Sequence, residues 1–128
     1  YGRDFEGYLQ RANDSTVVVL QAESRQAIDH IEHIVAVDGV DAILIGPYDL
    51  SASLGHIGEV THPEVIAAID TVASACNKIG VKLGIFGVSA EAVRPYMNQG
   101  FHLITVGVDS LFLGQAAAGT LETLRGSA

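Results

Sequence analysis

Four times in this chain a short, β-branched, apolar run gives way to a segment of helical period, with glycine at the joints. The runs fall at residues 16–22, 41–46, 82–86 and 103–106. They are apolar on both faces and too short for helices, the pattern of buried parallel strands. The segments after them carry apolar residues three and four apart. These are Ala27, Ile28, Ile31, Ile34 and Val35; then Val65, Ile66, Ile69, Val72, Ala73 and Cys76. Ala92, Val93, Tyr96 and Met97 follow, and the last set is Leu111, Leu113, Ala116, Ala117, Leu121 and Leu124. Gly39, Gly80 and Gly100 are helix stops that lead into the next strand. The predicted order is β-α-β-α-β-α-β-α, an α/β class. Two architectures satisfy it: a small doubly wound sheet, or half of a (βα)8 barrel, which takes about 250 residues. A half barrel leaves two strand edges and one face open, so it is not expected to be stable as an isolated monomer.

Finer features follow from the punctuation. Glu6 to Asn13 reads as a short helix without a capping signal, and Asn13-Asp14-Ser15 as a turn. Ser24 to Val37 reads as one helix, and Asp49 to Gly58 as a loop or a single turn. Pro63 suits a helix start with His62 or Thr61 as cap, the helix running to Ile79. Ser89 caps the next helix, which Pro95 bends or shortens. Asp109 or Ser110 begins the last.

Composition narrows the partners. With 128 residues, one compact unit is expected. The net charge of −8 argues against nucleic acid, which wants clustered Lys and Arg, and against an anionic membrane surface. No stretch reaches the 18 or so apolar residues of a membrane span. The single cysteine, Cys76, leaves no internal disulfide and reads as a small core residue. With no signal peptide in view, a reducing, cytoplasmic setting is the expectation.

Two strands end in a carboxylate. Val17-Val18-Val19-Leu20-Gln21-Ala22 runs into Glu23, and Ile43-Leu44-Ile45 runs into Gly46-Pro47-Tyr48-Asp49. Ligands of α/β proteins sit at the carboxyl ends of the strands. Neighbouring parallel strands lie about 4.8 Å apart, so the two carboxylates would repel unless paired. A hard divalent cation, Mg²⁺ or Mn²⁺, resolves that. The other reading is that both are helix-start carboxylates, favoured by capping and the helix dipole. Gly46 allows close backbone approach and Pro47 sets the turn, so the Tyr48 and Asp49 amides could hold a carboxylate; an ordinary βα turn has the same residues. His30 and His33, three apart with Glu32 between, read as a solvated helix face. His56 and His62 flank a glycine-containing loop at the active end, and His102 lies before a strand, at the opposite end. Lys82 opens a strand at the wrong end for an imine, and Lys78 sits in a helix, so a Schiff-base aldolase has no suitable lysine. Nucleotide-binding and serine-nucleophile motifs are absent from the sequence.

Gln21-Ala22-Glu23-Ser24, Gly39 to Ser51, His62-Pro63-Glu64-Val65 and Gly107-Val108-Asp109 together resemble the HpcH/HpaI aldolase family. The likeness runs from about Asn13 into the last helix. It implies metal-dependent pyruvate aldolase chemistry on a TIM barrel: cleavage of 4-hydroxy-2-oxo acids to pyruvate and an aldehyde. Glu23 and Asp49 match the metal ligands, for Mg²⁺ or Mn²⁺, with Co²⁺ also possible. Gly46, Pro47, Tyr48 and Asp49 match the turn that binds pyruvate, through the Tyr48 and Asp49 amides. The family's catalytic arginine and His–Asp pair lie in the first half of the barrel, so no residue here is assigned those roles. The resemblance thus implies that residues 1–128 form the C-terminal half of one barrel domain, inactive alone, with the N-terminal half absent. It also implies a homo-oligomer, a hexamer in the family, exchanging its last helix. Citrate lyase, citrate synthase or malyl-type lyase chemistry on the same scaffold, and a non-catalytic half-barrel that only assembles, stay open.

Overall fold

The computed structural model describes residues 3–126. Their elements, in order, are α1 (Phe5–Ser15), β1 (Val19–Ala22), α2 (Arg25–Asp29), α3 (Ile31–Val35), β2 (Ala42–Ile45) and α4 (Pro47–Ser53). α5 (Pro63–Ile79), β3 (Lys82–Gly87), α6 (Ala90–Met97), β4 (Leu103–Val106) and α7 (Asp109–Arg125) complete them. The four strands form one parallel sheet in the order β1-β2-β3-β4. Sequential order with a helix after each strand is how a βα barrel winds, whereas a doubly wound sheet reverses its strand order at a switch point.

One face of the sheet carries the core. Ala22, Ile43, Ile45, Leu83 and Ile85 pack beneath Val65, Ile69, Val72 and Cys76 of α5 and Val93 of α6. Fully burying an isoleucine, leucine or valine contributes roughly 1.5–3 kcal/mol, so this layer dominates the stability. The opposite face is thinly covered. Gln21, Leu44, Gly84 and Leu103 lie in register across all four strands. Gln21 and Leu103 are exposed and Leu44 is half-buried. Gly84 is squeezed here: a Cβ would stand 3.0 Å from both Leu44 Cδ1 and Leu103 Cβ. Among the described residues the outer edges of β1 and β4 have no strand partner.

α5 forms where the sequence signals agree. Pro63 takes its first turn, the His62 side chain accepts from Glu64 N–H, and Gly80 closes it at φ +83°. Ser89 caps α6 as expected, accepting from Ala92 N–H. Pro95 lies inside α6, and the helix ends two residues later.

Several local expectations are corrected. α1 does have a cap, Asp4, whose carboxylate accepts from Gly7 N–H. Asn13-Asp14-Ser15 is the last turn of α1, not a turn of its own. The first strand begins only at Val19, because the amide of Val18 donates to the Asp41 side chain rather than to a strand. The helix expected over 24–37 breaks at His30, whose ring nitrogen Nδ1 lies 3.0 Å from the Gln26 carbonyl. Of the loop or turn expected over 49–58, residues 49–53 belong to α4, and the loop begins at Leu54. Met97 faces solvent, and α7 buries none of its residues: Leu113 is 73% exposed and Leu124 78%.

Candidate functional site

The carboxyl ends of β1 and β2 bring Glu23 and Asp49 together across Gly46. Gly46 continues the β2 register beside Glu23, after the Ala22–Ile45 pair. A Cβ on Gly46 would lie 3.1 Å from Glu23 Oε2 and 3.8 Å from Asp49 Oδ2. Both carboxylates therefore face one small gap, held open by the missing side chain. Gly46 itself is buried, Glu23 is half-buried and Asp49 is exposed. Gln21, on the same strand face as Glu23, donates from Nε2 to Glu23 Oε2 at 3.2 Å. Its signal was its place two residues before the glutamate, the period that puts both on one face of a strand. Two hard oxygens facing a space that a Cβ on Gly46 would fill are a donor set that fits Mg²⁺ or Mn²⁺.

α4 explains how Asp49 is aimed. Gly46 is its N-cap and Pro47 its first residue, and the Gly46 carbonyl accepts from Leu50 N–H at 2.9 Å. No side chain caps this end, so the Tyr48 and Asp49 amides, in the first turn, have no intrahelical acceptor. Leu50 and Ser51 are fully buried beneath them. Ser51 Oγ donates to the Tyr48 carbonyl at 2.6 Å and accepts from Gly58 N–H at 3.0 Å. That tie draws the 54–62 loop against α4. Gly58, at φ +81°, lies under the Tyr48 ring, which a Cβ there would approach to 3.7 Å. Beside this turn is a cavity of about 390 Å³, largely apolar, lined by Tyr48, Val60, Phe86, Val88 and Tyr96. Phe86 continues the β3 register opposite Gly46, a placement the apolar run alone did not single out.

The rim carries a second cluster. Arg25 Nη2 bonds Glu64 Oε1 at 2.7 Å, and His56 Nε2 bonds Glu64 Oε2 at 3.0 Å. The Arg25 guanidinium first, and His56 second, hold the Glu64 carboxyl below its usual range. His56 and His62, expected to flank a loop at the active end, stack face to face with ring centres 3.5 Å apart. His30 and His33 stand 6.4 Å apart at an exposed helix junction, as a solvated face should. His102 is exposed ahead of β4, at the opposite end from Asp49.

The family model for HpcH/HpaI aldolase/citrate lyase matches residues 2–116. The chain belongs to this family. A hydroxypyruvate/pyruvate aldolase from Chromohalobacter salexigens is 41% identical over 121 residues, 94% of this chain and 48% of that relative. A 2-dehydro-3,6-dideoxy-6-sulfogluconate aldolase from Pseudomonas putida is 40% identical over 122 residues, 95% of this chain and 48% of that relative. Among solved structures, an HpcH/HpaI aldolase/citrate lyase family protein from Burkholderia cenocepacia superposes with a TM-score of 0.87 at 42% identity. The match covers 97% of this chain and 47% of that one. The chain thus spans about half the length of the curated relatives it matches, and its four βα units are half of an HpcH/HpaI barrel. No helix among the described residues is long and apolar enough to cross a membrane.

Proposed function

We propose that the protein carrying this chain is a divalent-metal-dependent pyruvate aldolase, a cytoplasmic carbon–carbon lyase, and that residues 1–128 are the C-terminal half of its barrel. The convergence of Glu23 and Asp49 on the Gly46 gap carries the reading. Named relatives that act on pyruvate or related oxo acids support it. Glu23 and Asp49 hold the cation, Mg²⁺ or Mn²⁺, with Gln21 fixing the Glu23 carboxylate. When bound, the cation supplies a Lewis acid for the oxygens of a 2-oxo acid. Gly46 leaves room for that acid beside the backbone, and Pro47 pins the turn. The uncapped amides of Tyr48 and Asp49 orient its carboxylate. Phe86 and Tyr48 give the cavity beside the turn an apolar wall. The general base and the residue that stabilises enolate charge come from outside this chain, so the isolated half does not turn over.

The test is Asp49→Asn in the full-length protein, assayed for pyruvate release from 4-hydroxy-2-oxo acids with added Mg²⁺ or Mn²⁺. Metal-dependent release is expected to vanish. Full activity in the chelator-treated variant would sink the assignment. The family's description includes citrate lyase, so oxaloacetate and thioester substrates are assayed alongside. Preference for those over 4-hydroxy-2-oxo acids would replace the aldolase by a lyase on the same metal pair. A pure assembly module would show no metal effect on melting temperature at all. The exposed Leu111, Phe112, Leu113, Leu121 and Leu124 of α7 support a homo-oligomer in which α7 packs on a neighbouring subunit; the hexamer is what the family resemblance implies.

A further inference from the structure

We propose that His56, Glu59 and His62 form a second metal site, separate from the Glu23–Asp49 pair, that takes a nitrogen-seeking transition cation of the Zn²⁺ class. The three residues are spaced three apart, and the backbone makes that spacing count. Glu59 N–H donates to the His56 carbonyl at 2.9 Å, and His62 N–H donates to the Glu59 carbonyl at 2.9 Å. Two successive turns, the first with Gly58 at φ +81°, bring their side chains together at one edge of the loop. One ligand atom from each lies within 4.8 Å of the other two. A tetrahedral cation 2.0–2.1 Å from its donors needs them roughly 3.4 Å apart, within reach of small side-chain rotations. His56 and His62 are half-buried and Glu59 is exposed, so the edge stays open to solvent.

The support behind the cluster is what a ligand histidine requires. A metal-bound imidazole characteristically gives its other N–H to a carboxylate, which sets the tautomer and raises ligand basicity. His56 Nε2 meets Glu64 Oε2 at 3.0 Å, which leaves Nδ1 with its lone pair. Glu64 is anchored in turn by Arg25, whose own amide donates to Ser53 Oγ at 3.0 Å. Arginine, glutamate and histidine thus form a chain ending at the open side of the cluster. His62 stacks on His56 at 3.5 Å with 17° between the rings, and a ring nitrogen of each lies within 4.8 Å of the other. The competing bond is the α5 cap, in which His62 Nδ1 accepts from Glu64 N–H at 3.2 Å. That is the longest of the side-chain hydrogen bonds holding this loop, and it is what His62 gives up on ligation. Two imidazoles and one carboxylate favour Zn²⁺, Co²⁺ or Ni²⁺, unlike the all-oxygen pair at Gly46. A cation here would clamp the 54–62 loop, which lies under Tyr48 through Gly58.

The experiment uses the full-length protein with Asp49→Asn, so that binding at the first site and binding at the rim are read separately. Zn²⁺ is titrated calorimetrically and Co²⁺ by its visible absorption. One equivalent of either is expected, with the Co²⁺ bands of a mixed nitrogen and oxygen donor set. His56→Gln should weaken binding at least tenfold and alter those bands, and Glu64→Gln should weaken it about 10- to 100-fold. His62→Ser removes the imidazole yet keeps a good helix cap, so its loss of binding is not a loss of α5. Uptake that all three variants leave unchanged, or no uptake by the Asp49→Asn protein, would overturn the site. Either result leaves the pyruvate assay of the Glu23–Asp49 reading untouched.

Discussion

Gly46→Ala isolates the geometry on which the metal reading depends. Gly46 sits at φ −102° and ψ 89°, a conformation open to any residue, so the substitution carries no left-handed strain. The new methyl would stand 3.1 Å from Glu23 Oε2, 3.5 Å from Glu23 Cβ and 3.8 Å from Asp49 Oδ2. Only the first is too close, and a carboxylate tip that swings a few tenths of an ångström relieves it. Stability should therefore change little. The gain from a stiffer unfolded chain, about 0.4–1 kcal/mol, is offset by a weaker cap of similar size. Metal binding should change much more, because the methyl fills the gap between the two carboxylates and pushes one aside. Displacing a ligand by that much is comparable to losing its supporting hydrogen bond, so about 10- to 100-fold weaker Mn²⁺ binding is expected. That corresponds to roughly 1.4–2.7 kcal/mol.

The assay pairs Mn²⁺ titration with thermal melting of the full-length protein. Gly84→Ala serves as the contrast. Its Cβ would meet Leu44 and Leu103 at 3.0 Å inside the sheet, away from any carboxylate. Overpacking of that kind costs about 1–3 kcal/mol of stability and should leave metal affinity alone. Unchanged Mn²⁺ affinity in Gly46→Ala would mean that the cation does not occupy the space between Glu23 and Asp49.

Ser51→Ala strands the Gly58 amide and one bond to the Tyr48 carbonyl in a buried setting, and should cost about 1–3 kcal/mol in urea unfolding. An unchanged midpoint would show that water replaces both bonds. Burial pushes the Cys76 thiol up to about 11 from 9.0. Its contribution to stability is fully present below pH 9 and is lost as pH rises toward 11, so the fall in stability over that range should be shallower in Cys76→Ala than in wild type. Parallel alkaline curves for the two proteins would contradict that. Leu113→Asp with Leu124→Asp should lower the oligomeric state in analytical ultracentrifugation without changing the circular dichroism of the remaining helices. An unaltered sedimentation coefficient would place the subunit contact elsewhere.

The parts of the fold that were legible are those where independent signals stack. α5 carries a cap at His62, proline at Pro63, an apolar stripe from Val65 to Cys76 and a stop at Gly80, and it runs as expected. The closeness of Glu23 to the turn that carries Asp49 was legible because strand ends align in a parallel sheet, and the register of Ala22 with Ile45 sets Glu23 beside Gly46, the residue that caps α4. α4 was not, because it is only seven residues long and its buried apolar anchors are Pro47 and Leu50 alone, too few to show a period. The break at His30 was hidden by a stripe that continues across it through Ile28 and Ile31. A side chain that competes for the Gln26 carbonyl ends one helix and begins another without disturbing that stripe. The stacking of His56 on His62 depends on positive φ at Gly55 and Gly58, which folds the loop back on itself. Spacing along the chain carries no trace of that fold until the glycine torsions are known.

The two proposed donor sets are physically linked, because one buried side chain stands between them. Ser51 lies two residues beyond Asp49, and its hydroxyl holds both the Tyr48 carbonyl and the amide of Gly58. Its own carbonyl accepts from His56 N–H at 2.8 Å. Anything that orders the 54–62 loop therefore also orders the first turn of α4, where Asp49 sits. The reverse holds with equal force, since a bound ligand that stiffens α4 reduces the freedom lost when the loop is clamped. A helix of only seven residues has little stability of its own and depends on such ties. This accounts for a fully buried serine in a sheet-and-helix core otherwise made of apolar side chains. Its hydroxyl does what no hydrocarbon at that position could: it joins the turn that presents Asp49 to the loop that presents His56.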